Sequence, residues 1–385
     1  AKSRPGGMLL IDGSYGEGGG QILRNAAAFA AILGKDIGIR NIRAGRSQPG
    51  LRRQHITGLK LLADCCGGQV DGAFVGSQEI TFRVRANVGR TAARDTSAFR
   101  FLKGDTQTAG SICLLLQAAL PYALVGDGQI RWIFKGGTNA SMAPQYDYWD
   151  HIFLPTIIQR LHLPSDAVQP TVIRRGFFPK GGGEVHVTTQ SVSCPLPPIS
   201  LIDRGDVTHV WIRSFCAGKI PKHVADEMAG AAKDYLKTHS SIPEISIETV
   251  YEKKAVASGS GILIVATTSQ GCKLGGSALG SPKTSPHQVG EDAARELCST
   301  LADGGCVDEY LQDQLILYMA LAQGRSEIIT GSLTLHTRTA IWTAEQCCDA
   351  RFHVERLDGS QDATADAQGR ISGRYRISCL GIGYA

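Results

Sequence analysis

A short apolar strand, Met8–Asp12, runs directly into the turn GSYGEGGG, and the turn into a helical pattern over Gln21–Leu33 that stops at Gly34. No other stretch constrains the chain as much. A strand folded back through glycines onto a helix must bury its apolar side against that helix, so the chain starts as a layer of helix on sheet. The next elements continue the layer. Ile37–Ile42 alternates as a strand, His55–Cys66 is an amphipathic helix ending at Gly67, and Glu79–Val84 alternates again.

Related patterns recur along the chain. Thr108–Leu120 reads as a helix after a Gly/Thr turn, Ile130–Phe134 as a strand, Tyr148–Leu161 as a helix, and Thr171–Arg174 and Gly183–Thr188 as strands. Near the end, Glu291–Leu301 and Asp308–Ala322 read as helices, and Glu327–Thr330 and Arg351–Val354 as strands. The spacing predicts an α+β fold of three repeated units of about 80–90 residues, each with two helices on a small sheet. Two stretches offer boundaries: the proline-rich loop Ser193–Pro198 and the Gly/Ser/Pro-rich stretch Leu274–Pro286. Between them lie strands at Val207–Arg213 and Gly261–Thr267 and a helix at Ala225–Lys237. The expected division is a repeat domain over 1–191, an inserted smaller α/β domain over 192–286, and the rest of the repeat domain over 287–385.

Composition excludes several classes. The 385 residues are 43% hydrophobic and 19% charged, the balance of a folded chain rather than a disordered one. The longest apolar stretch, Ile112–Val125, contains Gln117 and Pro121 and reads as a buried helix ending in a loop, not as a membrane span. No secretory signal is evident, and the residues ahead of Met8 are left open as native or added. The 11 cysteines include the adjacent pairs Cys65–Cys66 and Cys347–Cys348 but no CxxC. That fits neither a disulfide framework nor a zinc site, so reduced thiols in an intracellular compartment are expected. A net charge of +5 says little about partners. Its distribution says more, because Arg40, Arg43, Arg46, Arg52 and Arg53 fall between Asp36 and Asp64 with no acidic residue among them. Such a local positive field suits a phosphate-bearing ligand, although a solvated basic loop would look the same.

Four segments carry candidate chemistry. In Gly13–Arg24 the glycines allow close backbone approach and the helix start offers free N–H groups, but no GK[ST] follows and GxGxxG fits poorly. A tight strand–helix turn would account for the glycines alone. Glu17 is harder to dismiss, since a carboxylate beside a phosphate calls for a bridging divalent cation. In Arg43–His55, two arginines three apart, with Gly45 and Pro49-Gly50 shaping the loop and Gln54 and His55 opening a helix, have the makings of a phosphate clamp. In Asp308–Leu315, Tyr310, Asp313 and Gln314 share one helical face, which suits a nucleoside or an ordinary polar surface. In Leu333–Thr339, His336 is one of ten histidines, and spacing alone does not single it out.

Together these segments resemble the RNA 3′-terminal phosphate cyclase family, in its eukaryotic form. The stretches that carry the likeness are EGGGQILR, IRAGRSQPGLRRQH, TAGSICLLLQ, KGGTNASMAPQYDY, FFPKGGGEV, VDEYLQDQL and TLHTRTAI, in family order over nearly the whole chain. The resemblance implies three repeats of two helices on a four-stranded sheet, similar to a repeat in a bacterial translation initiation factor and in enolpyruvyl transferases, with an inserted smaller α/β domain.

It also implies a three-step reaction: a histidine takes the adenylyl group of ATP, passes it to an RNA 3′-phosphate, and the neighbouring 2′-hydroxyl closes a 2′,3′-cyclic phosphate. TLHT assigns the nucleophile to His336. Arg24, Arg43, Arg46, Gln54 and His55 match phosphate and RNA-end positions. Glu17 matches a ligand for Mg²⁺ or Mn²⁺, Tyr310 and Pro144 match residues flanking adenine, and Gln117, Asp313 and Gln314 match nucleotide-pocket positions. Expected partners are ATP and RNA with a 3′-phosphate end, without a membrane, and eukaryotic members lead one to expect a nuclear location.

The residues before Glu17 and the stretch Arg90–Lys103 depart from the family pattern, which touches loop detail and access of the RNA end. Two rivals share the architecture, a non-catalytic relative acting in ribosomal RNA assembly and an enolpyruvyl transferase. The histidine position and arginine pair argue against the first and the ordered motifs against the second. A generic RNA-binding module would need an aromatic-rich recognition strand, and none is seen.

Overall fold

A computed structural model describes residues 7–85, 99–126, 128–192, 195–240, 242–359 and 364–385. Of the segments singled out above, 90–98 and 193–194 lie outside the described residues.

The first unit runs β1 (Leu9–Asp12), α1 (Gly20–Leu33), β2 (Ile37–Arg40), α2 (Arg53–Cys66), β3 (Gln69–Asp71), β4 (Ile80–Arg83). The second runs β5 (Arg100–Asp105), α3 (Ile112–Val125), β6 (Gln129–Gly136), a helical stretch of α4 (Tyr146–Tyr148), a π-helical segment (Trp149–Phe153) and α5 (Leu154–Arg160), then β7 (Val168–Arg174) and β8 (Gly183–Gln190). The third opens with β9 (Ser200–Leu201). There the chain leaves to build β10 (Val207–Ala217), α6 (Lys222–His239), β11 (Ile245–Glu252), β12 (Gly259–Thr268), β13 (Lys273–Leu279) and α7 (Pro286–Ala302). It returns as α8 (Glu309–Leu321), β14 (Gln323–Thr330), α9 (Leu335–Cys347), β15 (Arg351–Arg356) and β16 (Tyr375–Ile382).

The sheets establish the repeat. Their orders are β1-β2-β4-β3, β5-β6-β8-β7 and β9-β14-β16-β15. In each, the first pair is parallel and the other two pairings are antiparallel. The inserted sheet, β11-β10-β12-β13, has its own core under α6 and α7. The fold is α+β, as the sequence pattern implied.

β9 pairs with β14 of the repeat, and α7 lies against α6 and β13. The stretch Leu274–Pro286, read as a boundary loop, holds strand β13 instead. Its glycines are there for packing: a Cβ on Gly276 would lie 2.3 Å from the Ala293 carbonyl of α7, and one on Gly275 2.6 Å from Ile152. Pro121, expected to end a helix, sits inside α3, which continues to Val125 among buried residues. No helix among the described residues is long and apolar enough to cross a membrane.

α1 lies at the centre of the repeat body, against α2, α3 and α9. Its alanines at positions 26, 27, 28, 30 and 31 are all buried and let three helices approach it closely. That packing brings the glycine turn ahead of α1 beside the start of α9, at the other end of the chain.

Candidate active site

The starts of α1, α2, α8 and α9 converge on a cleft of about 1200 Å³. Every residue nominated above lines it: Glu17, Arg24, Arg43, Arg46, Gln54, His55, Gln117, Pro144, Tyr310, Asp313, Gln314 and His336. Arg40 points elsewhere and pairs with Glu79 at 2.8 Å.

The glycine turn is clamped onto α9. Tyr15 stacks on Trp342 with ring centroids 4.0 Å apart, and the Glu17 N–H donates to Thr339 Oγ1 at 3.1 Å. Gly16 has φ +57°, and a Cβ there would lie 2.5 Å from that hydroxyl, so only glycine fits without strain. A Cβ on Gly19 would fall 1.9 Å from Glu17 Oε1. The missing side chain therefore makes room for the carboxylate over the start of α1.

Arg46 donates to both the carbonyl of Glu17 (2.8 Å) and its Oε1 (2.6 Å). Glu17 Oε2 and Arg46 Nε are buried with no hydrogen-bond partner. An orphaned acceptor and an orphaned donor side by side are costly unless a ligand serves them. The carboxylate oxygen suits a cation and the guanidinium nitrogen an anion. Among the described residues no group of three His, Cys, Asp or Glu side chains is arranged to hold a metal ion. A divalent cation here would take Glu17 Oε2 from the protein and its other ligands from phosphate and water, which is the habit of Mg²⁺.

His336 stands in the first turn of α9, whose N-terminus is capped by the Thr334 side chain accepting from Thr337 N–H at 3.0 Å. Its Nδ1 lies 2.6 Å from Gln21 Oε1 and 3.5 Å from Glu17 Oε2. Gln21 Nε2 in turn donates to Asp313 Oδ2 at 2.6 Å. Burial pushes the Asp313 carboxyl up to about 6, against the opposing pull of His336 and Arg24. In its contact with Gln21 its Oδ2 is the acceptor. The Gln21 amide must then face it, so the Gln21 carbonyl faces the histidine, Nδ1 carries the hydrogen, and the Nε2 lone pair is left free.

The anion-binding side is equally specific. Arg24 is buried, which lowers its pKa against the pull of Glu17 and Asp313, and its Nε donates to Gln117 Oε1 at 3.0 Å. His55 Nδ1 accepts the Arg52 N–H at 3.1 Å, so its Nε2 carries the hydrogen. Burial, with Arg24, Arg43 and Arg52 nearby, pushes its pKa down to about 3. His55 is thus a neutral donor. Gln54 Oε1 accepts from Ser111 N–H at 3.3 Å and leaves its amide group for the cleft. Arg43 spends part of its guanidinium on the loop itself, donating to the carbonyls of Gln48 (2.6 Å) and Gly50 (3.0 Å).

On the far bank Tyr310 meets Tyr148 edge-on at 5.5 Å, and the Tyr148 hydroxyl donates to Asp308, which caps α8. Gln314 Nε2 donates to the Tyr310 carbonyl at 2.6 Å.

The neutral state of His55 is testable. Its pKa is lowered from the 6.5 of a free imidazole, so an unfolded chain takes up the proton first as pH falls. The stability it contributes is complete above about pH 6.5 and is lost as pH falls from there towards 3. NMR of the imidazole nitrogens is expected to show His55 as the Nε2–H tautomer down to pH 4. A midpoint near 6.5 would contradict this.

Sequence reasoning missed Gln21 and Thr339. Gln21 had a signal in its place, the polar residue of the first turn of α1 directly after the glycine turn; the structure shows it fully buried. Thr339 had none, because its role depends on a turn more than 300 positions away.

The family model described as RNA 3′-terminal phosphate cyclase matches residues 15–354. A protein of Drosophila melanogaster named RNA 3′-terminal phosphate cyclase is 37% identical over 379 residues, which cover 98% of this chain and 97% of that protein. One of Dictyostelium discoideum, named a probable RNA 3′-terminal phosphate cyclase, is 37% identical over 97% of this chain and 83% of its own length. One of Desulfurococcus amylolyticus with the same name as the first is 41% identical over 87% of this chain and 90% of its own length. With a family match across most of its length and relatives this similar end to end, the chain belongs to the RNA 3′-terminal phosphate cyclase family.

Proposed function

We propose that this chain converts RNA 3′-phosphate ends to 2′,3′-cyclic phosphates at the expense of ATP, through a covalent adduct of AMP with His336. One observation carries the reading. An imidazole oriented through Nδ1 stands beside an unpaired carboxylate oxygen and an unpaired guanidinium nitrogen in one cleft.

His336 Nε2 attacks the α-phosphorus of ATP, a P–N bond forms, and pyrophosphate leaves with the electrons of the broken P–O bond. An oxygen of the RNA 3′-phosphate then attacks the same phosphorus and displaces the imidazole, which leaves readily. The RNA 2′-hydroxyl loses its proton and attacks the activated 3′-phosphorus, expelling AMP. Adenylylation supplies the leaving group that a phosphate monoester lacks, and the ring closure is intramolecular.

The Asp313–Gln21 pair holds His336 in the reactive tautomer. Arg24, Arg46 and His55 oppose the negative charge that gathers on the transferring phosphoryl group. Tyr310 and Pro144 flank the adenine, with Gln117, Asp313 and Gln314 around the nucleoside. Mg²⁺ or Mn²⁺ at Glu17 would neutralise charge on the triphosphate.

The test is covalent labelling. With α-labelled ATP and Mg²⁺ the protein is expected to acquire acid-labile, alkali-stable label, and unlabelled RNA ending in a 3′-phosphate to chase it into AMP and cyclic ends. Gln21→Leu is expected to slow labelling roughly ten- to a hundredfold, since the imidazole loses the partner that fixes its tautomer. A folded protein free of bound AMP that takes no label with either metal would overturn the reading.

A further inference from the structure

Phe74 and Val75 are 65% and 53% exposed, and among the described residues they are the one pair of chain neighbours among the exposed large apolar side chains. Isolated exposed apolar residues are common and carry no message. This pair differs in where it is held. Val75 lines the active-site cleft, as do Arg52, Arg53 and Thr108.

The tip that bears the pair is pinned to the arginine loop. Gly76 N–H donates to the Leu51 carbonyl at 2.9 Å, Leu51 N–H to the Ser77 carbonyl at 2.9 Å, and Ile42 N–H to the Gln78 carbonyl at 3.0 Å. Gly50 has φ +77°, and a Cβ there would lie 2.1 Å from the Gly76 carbonyl oxygen, so the two loops meet backbone to backbone. The apolar tip is therefore fixed relative to the arginines and cannot fold down to bury itself.

The cleft has a direction. Contacts run from Arg46 to Glu17, His336, Gln21 and Asp313, so the arginine bank and the Tyr310 bank lie at opposite ends of that series. With a nucleoside on the Tyr310 bank, a second phosphate-bearing substrate enters over the arginines and passes the tip. A ligand that carries phosphates at intervals and flat apolar faces between them matches both the charge and the exposed side chains.

We infer that the Phe74–Val75 tip is a stacking subsite for the unpaired nucleobases just upstream of the RNA 3′-phosphate. The inference rests on the function proposed above. It extends that reading from the terminal phosphate to the strand behind it, and makes an unpaired 3′ end a better substrate than one sealed in a duplex.

The test measures binding of a fluorescent 3′-phosphorylated oligoribonucleotide without ATP, and self-adenylylation without RNA. Phe74→Ala removes an exposed side chain that does not line the cleft and is expected to weaken binding roughly tenfold while leaving self-adenylylation unchanged. An oligonucleotide abasic at its last two positions is expected to bind both proteins equally, and Phe101→Ala, an exposed phenylalanine outside the cleft, to bind like the wild type. Unchanged affinity in the Phe74 variant, or equal weakening for the abasic RNA, would overturn the subsite. Failure of the wild type to adenylylate, with RNA binding still sensitive to the tip, would overturn the reaction and leave the subsite standing.

Discussion

His336→Ala is expected to lose covalent labelling from ATP altogether and to lower cyclisation by at least about a thousandfold. No neighbour can replace the imidazole. Gln21 reaches Nδ1, not the attacking side, Asp313 touches only Gln21, and His55 is buried on the arginine bank with its pKa pushed down to about 3 and its Nδ1 occupied. The variant should fold, because the His336 side chain is half exposed and the cap of α9 belongs to Thr334. Thermal melting within a few degrees of the wild type, with normal RNA affinity, would separate lost chemistry from lost structure. RNA supplied already adenylylated at its 3′-phosphate should still be closed by the variant, since that step does not use the nucleophile. Substantial label on the alanine variant would move the nucleophile elsewhere.

The largest expected effect on stability lies away from the cleft. Asp147 is almost fully buried and receives Arg175 through two nitrogens at 2.8 Å and Arg213 at 3.1 Å, while Glu252 completes the cluster. Asp147 belongs to the second repeat and Arg213 to the inserted sheet, so the cluster rivets the two together. Burial alone would raise the Asp147 carboxyl, but Arg175 and Arg213 overcome it and hold it down to about 2. Asp147→Ala takes both 2.8 Å bonds from Arg175, leaving it only Glu252, while Arg213 keeps Glu248 and Glu252; the loss is expected to cost about 3 kcal/mol, read as a lower denaturation midpoint. The pH dependence has a fixed sign. The folded-state pKa is depressed, so the stabilisation is complete above the unfolded value of about 4 and is lost as pH falls through about 2. Asp147→Asn should remove that acid limb. A midpoint like that of the wild type would mean that water or rearrangement relieves the arginines.

Much of this was legible in the sequence, and the reasons are local. α1 and α2 end on Gly34 and Gly67 in the left-handed conformation, where helices of their kind stop, and both ends were read to the residue. The candidate site residues were nominated through motif resemblance, and the fold brings all of them to one cleft. What escaped was set by distant partners. β9 is too short to show a period and exists because β14 offers it an edge. The glycines of β13 resemble a linker until α7 is laid across them. The π-helical segment at Trp149–Phe153 has no signature in its own residues. Gln21 was passed over because an amide at a helix start has many ordinary explanations, and only the carboxylate and imidazole on either side of it give it one.

The pairing of His336 with Gln21 joins side chains 315 positions apart, one in the first helix of the chain and the other in the last. During synthesis the acidic turn, the arginine loop and most of the anion-binding side leave the ribosome long before the histidine exists. On the function proposed above, a growing or truncated chain would carry the arginine loop without the group that takes AMP. Labelling by ATP would then report that the last repeat has closed on the first.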